Sequence, residues 1–272
     1  MQTKSYELLW ALLFIVFFAA IYVVFVMVFN TIPAAQSLFG HSLGVLGSLL
    51  VLMTETLYSL RKRSQSARWG RMSNWLQFHI ITGLVGPFLI LLHSSWQYNG
   101  LAGILTILML VVVISGFFGR YIYTAIPRTA DGVELADWEL EEKIQAAENN
   151  IQTWLAAHPD AALILESEVT NLPETSESDT QLVLGRAFID LVDRSKWRRL
   201  EKQMGSDLSV QFNQIRKMVQ TRNVLERQKR SLAFSRRLLS IWHSLHVPVG
   251  LALFAIAAVH MGAAIYYATL LR

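Results

Sequence analysis

The sequence predicts an all-α fold: a polytopic membrane bundle of five transmembrane helices, with a helical cytoplasmic insert between the fourth and the fifth. Three observations carry this expectation. Of 272 residues, 53% are hydrophobic and only 16% charged, where an ordinary soluble domain carries about 25% charge. Five apolar stretches are long enough to cross a hydrocarbon core, which takes about 20 helical residues. Lysine and arginine gather at one side of those stretches, as the positive-inside bias requires.

The spans run roughly 8–29, 38–60, 76–97, 101–124 and 240–270. The first is too long for the apolar core of a secretory signal and lacks a small-residue cleavage site, so it is expected to stay as a span. The loop after the second, RKRSQSARWGR, holds five basic residues (Arg61, Lys62, Arg63, Arg68, Arg71), whereas NTIPAAQSLFGH and QYNG hold none. That asymmetry places the N-terminus and the 129–237 insert in the cytoplasm, with Arg120, Arg128, Arg236 and Arg237 at the insert's edges. The expected setting is a bacterial inner membrane. Residues 1–128 then form spans one to four, 129–237 the insert, and 238–272 the fifth span that completes the bundle. Spans three and five run parallel.

Within the insert, Leu140, Ile144, Ala147, Ile151 and Trp154 recur at helical spacing from Asp137 to Ala157. NLPETSESDT, 171–180, is a polar break. A second helical region starts near Gln181, Gly205 interrupts it, and a long helix leads into span five. Residues 131–180 hold thirteen acidic side chains and one basic, and 181–235 hold twelve basic and five acidic. Two readings follow: the halves pair with each other, or they form a docking surface for a redox partner.

The chemistry is carried by histidine. Span three contains WLQFHIITGLVGPFLILLH and span five WHSLHVPVGLALFAIAAVH. Both fit Trp-x3-His-x3-Gly-x9-His: Trp75, His79, Gly83 and His93, against Trp242, His246, Gly250 and His260. Fourteen residues return a helix to within roughly 40° of the same face after about 21 Å. Each helix therefore shows two imidazoles on one stripe, and two such helices make stacked pairs, His79 with His246 and His93 with His260. Imidazole is a good iron ligand, and such pairs suit two b-type haems. The glycines would let a flat macrocycle approach the backbone. Arg71 and Arg237, with Arg120, Arg128 and Arg236, are candidates for haem propionates. The competing account is that these histidines are hydrogen-bonded packing residues, which gives no reason for the same spacing twice.

His243 lies about 100° off the stripe and would replace His246 only if Pro248 distorted the helix. His41 is expected at the outer interface and His158 in solvent. Glu55 is the one acid within a span, near its inner end.

FHIITGLVGPFLILLH and WHSLHVPVGLALFAIAAVH, with GILTILMLVVVISGFFGRYIY between them, resemble the core of di-haem b-type membrane cytochromes, the ferric-reductase-like transmembrane proteins and the cytochrome b of quinol-oxidising complexes. The likeness covers about half the chain. It implies two haems between two helices and electron transfer across the membrane, with a quinone or a redox partner subunit supplying or accepting electrons. No dinucleotide fingerprint occurs and no flavin or nicotinamide module is expected in the chain. There is no cysteine, which excludes cysteine-held iron–sulfur clusters and covalent haem attachment. No catalytic side chain and no nucleic-acid partner are expected. The alternative is a non-redox membrane scaffold whose cytoplasmic helices bind a partner.

Overall fold

A computed structural model describes residues 6–63, 70–129, 133–159, 178–204 and 209–269. These form eight helices, and no β-strand occurs among the described residues. They are α1 (Glu7–Phe29), α2 (Leu38–Arg63), α3 (Met72–His93), α4 (Gly100–Tyr123), α5 (Asp137–Ala157), α6 (Asp179–Leu184), α7 (Arg186–Met204) and α8 (Ser209–Thr269). Five of them, α1 to α4 and α8, are long and apolar enough to cross a membrane. The all-α membrane bundle expected from the sequence is therefore what forms.

Two boundaries move. The third span begins at Met72 and ends at His93, four residues short of the expected end. Ser95 and Trp96 take positive φ values of 50° and 63°, which a helix cannot continue through. The fifth span is the C-terminal part of one 61-residue helix that passes Pro248 without a break. Arg68, most of the 171–180 break and Gly205 lie outside the described residues.

The chain divides into two compact units, one built around α1–α3 and the portions of α4 up to Phe118 and α8 from Trp242, the other around Gly119–Thr129 and Val133–Ile241. In the first unit α1 is apolar all round, and most of that surface is exposed, as a lipid-facing helix requires. It stops at Asn30, in the left-handed region at φ 49°, just before Pro33. Tyr22 of α1, Leu43 of α2 and Val85, Leu89 and Leu92 of α3 form the buried cluster. Gly47 and Gly86 bring α2 and α3 together: a Cβ on Gly47 would stand 2.9 Å from the Gly86 carbonyl oxygen. Small residues at such crossings are how membrane helices pack closely. Thr54 Oγ1 and Thr82 Oγ1, hydrogen-bonded at 2.7 Å, fix the register of the same pair.

In the second unit α5 buries Leu140, Ile144, Ile151 and Trp154 of the predicted stripe, while Ala147 is only half-buried. Ile151 and Trp154 meet Trp197 of α7 and Phe212, Ile215 and Val219 of α8. Among the described residues, part of the insert's split charge pairs internally. Glu148 pairs with Arg222, Glu141 with Lys229 and Glu134 with Arg236. Each step is seven residues down one segment and seven up the other, an antiparallel heptad register. The hydrogen bond from Lys229, with a further one from Gln145, holds the Glu141 carboxyl below its usual range. At Glu148 burial pushes upward, but Gln152 and Arg222 outweigh it and the net shift is downward.

Candidate functional site

The four stripe histidines lie in the first unit, and three of them are oriented in the same way. His79 Nδ1 lies 3.0 Å from the Thr54 carbonyl oxygen, and His93 Nδ1 lies 2.9 Å from that of Gly40. A carbonyl only accepts, so both rings carry their proton on Nδ1 and keep a lone pair on Nε2. On α8, His246 Nδ1 is 2.6 Å from Ser115 Oγ of α4. The same hydroxyl lies 2.9 Å from the Val112 carbonyl oxygen, which can only accept. With that proton given to Val112, Ser115 accepts from His246 Nδ1; in either direction the bond engages Nδ1 and leaves Nε2 free. Metal-ligating histidines are held in this manner, one ring nitrogen anchored so that the other faces the metal.

Each anchor comes from a neighbouring helix, α2 for the α3 histidines and α4 for His246. Ser115 serves α8 twice: its carbonyl accepts the Trp242 indole N–H at 2.7 Å, and Trp242 stacks on His246 with centroids 4.5 Å apart. The Tyr58 ring lies 4.9 Å from His79.

The remaining expected site residues divide. His260 is half-buried and makes no hydrogen bond among the described residues. His243 packs edge-on against Trp242, and the Ser115 bond goes to His246 instead. Gly83 opens toward α2, where a Cβ would meet the Thr54 methyl at 3.3 Å, so the approach it permits is between helices. A Cβ on Gly250 would meet nothing within 4 Å. Arg71 is exposed at the N-cap of α3, and Arg237 is exposed in the second unit. Arg236 is engaged by Glu134 and Asp137, and Arg128 lies over the Tyr123 ring at 4.1 Å. His41 is exposed. His158 is not simply solvated, since it stacks on Trp154 and shares a 2.9 Å hydrogen bond with that residue's carbonyl.

Four positions escaped the sequence reasoning: Gly40, Gly44, Thr54 and Ser115. Gly44 matters most, because a Cβ there would sit 2.8 Å from the His93 ring. The signal was the run Gly40, Gly44, Gly47 at small-residue spacing on span two. Ser115 was visible as a polar side chain in an otherwise apolar run.

Among the described residues no group of three or more His, Cys, Asp or Glu side chains is placed to hold a metal. Haem iron brings four nitrogens of its own and asks the protein for two, a role that anchored imidazoles would suit. No protein-family model, curated protein sequence or solved structure matches the chain.

Proposed function

We propose that this chain is a di-haem b-type cytochrome that carries electrons across a membrane. The carrying observation is the shared anchoring of His79, His93 and His246 through Nδ1, which leaves each Nε2 free. His79 and His246 would hold one haem, and His93 and His260 the other. Haem supplies one-electron redox chemistry when bound, and the protein supplies ligands, orientation and a low-dielectric sheath. Thr54, Gly40 and Ser115 hold the imidazole protons away from the ligand nitrogens and stop the rings from turning. Arg71 and Arg237 are the propionate candidates. The basic loops support a cytoplasmic N-terminus and insert. Electrons would pass between a quinone or redox partner subunit and an acceptor on the opposite face.

The test is a pyridine-haem assay and a dithionite-minus-oxidised spectrum of the purified full chain. Two b haems per chain are expected. A folded preparation free of b haem refutes the proposal and leaves the scaffold reading.

A further inference from the structure

The second unit carries an exposed apolar face that its own core does not use. On α7, Phe188 is 69% exposed, Leu191 62% and Val192 48%. At roughly 100° per residue these three share a face with Ser195, Arg198 and Arg199, all of them exposed. Trp197 points the opposite way, into the buried cluster. The acids of α7 stay off the outward face as well. Asp190 pairs with Arg227 and Glu201 with Arg216, both partners on α8, and Asp193 falls on the same inward side by the helical repeat. One side of α7 is thus apolar in its first half and basic in its second, with no acid.

The start of α7 is tied to the end of a membrane span. Arg186 donates to the Tyr121 carbonyl and to Thr124 Oγ1, and its guanidinium lies 4.0 Å over the Tyr121 ring. Tyr121 Oη donates in return to the Leu184 carbonyl at 2.9 Å. Tyr121 belongs to the last turn of α4, whose apolar span ends at Tyr123. In a bilayer crossed by α4, the first turn of α7 would sit at the depth where hydrocarbon gives way to headgroups. At that depth an apolar face followed by arginines matches a bilayer interface, with the side chains in the acyl boundary and the cations on anionic headgroups.

We infer that the outward face of α7 docks on an anionic lipid surface: Phe188, Leu191 and Val192 enter the headgroup boundary, and Arg198 and Arg199 bind lipid phosphates. This does not depend on the haem reading, because none of these residues is near a stripe histidine in sequence or in its unit.

The chain has no cysteine, so single labels can be placed cleanly. Nitroxides at Phe188→Cys and Val192→Cys, with Thr153→Cys as an exposed control, are read in the full chain for oxygen against nickel-chelate accessibility. The samples are nanodiscs of phosphatidylcholine alone and of an equal mixture with phosphatidylglycerol. Both α7 labels should be oxygen-accessible and shielded from the chelate, more strongly with phosphatidylglycerol, while Thr153→Cys stays water-accessible. Replacing Arg198 or Arg199 by Gln should lower the docked-to-free ratio about fivefold each in the anionic discs. Chelate access equal to that of the control in both lipids overturns the inference. So does shielding that persists in detergent and rises with protein concentration, since the face would then belong to a second copy.

Discussion

Gly44→Ala tests the ligand role of His93 without touching the histidine. The added Cβ would lie 2.8 Å from the ring, where carbon contacts settle at roughly 3.5–4.0 Å, so the imidazole must retreat by about 0.7–1.2 Å. Its Nδ1 hydrogen bond to Gly40, now 2.9 Å, would stretch toward or beyond the limit of a bond. Overpacking of this kind costs about 1–3 kcal/mol. If His93 is a ligand, its nitrogen displaced by about an ångström would no longer reach an iron held by its partner. The assay is haem content per folded chain, read beside thermal unfolding, with Gly250→Ala as the unobstructed control. The expected result is one b haem instead of two, the same as for His93→Ala, with Gly250→Ala unchanged in stability. If Gly44→Ala lowers the melting temperature but keeps both haems and an unaltered spectrum, His93 is a packing residue and the reasoning fails.

Other outcomes follow from the same geometry. Ser115→Ala removes the acceptor for His246 Nδ1, and should weaken haem retention at that pair about 10–100-fold, the usual cost of losing such a support; haem titration into the apoprotein checks this, and unchanged affinity refutes it. Arg222 is 3% exposed and donates to Glu148 and Asn223, so Arg222→Ala should cost about 1.5–3 kcal/mol through lost charge-assisted bonds; a melting temperature equal to wild type contradicts it. The carboxyls of Glu141 and Glu148 are held below the usual value of 4.5. Their stabilisation is present above that value and drains away as pH falls through the depressed one. The protection of α5 amides in the full chain, taken relative to the intrinsic exchange rate at each pH, should fall below about pH 4.5, less so in Glu148→Gln, and a flat profile refutes the pairing account.

The spans and the insert's helices were legible because burial in lipid and burial in a helical core both leave long or periodic apolar patterns. The end of α3 was not, since Ser95 and Trp96 turn the chain with no glycine or proline to mark the place. The histidine stripe was legible as spacing, but its anchors at Gly40 and Thr54 were not. They act through backbone carbonyls, which every residue has, so only the packing of α2 on α3 selects them. Gly83 illustrates the converse: its position beside His79 suggested room for a macrocycle, and helix packing uses that room for Thr54. The acidic and basic halves of the insert were visible in composition. Their heptad register needed both segments to be laid antiparallel, which no single stretch records.

The central claim is that pairs of these imidazoles ligate iron. Near-infrared magnetic circular dichroism of the oxidised full chain reports axial ligands directly. The account predicts bis-imidazole ligation in the wild-type protein, with that signal reduced by half in His246→Ala. A haem-free protein, or haem whose ligand signature is not bis-imidazole and does not change in His246→Ala, would contradict it.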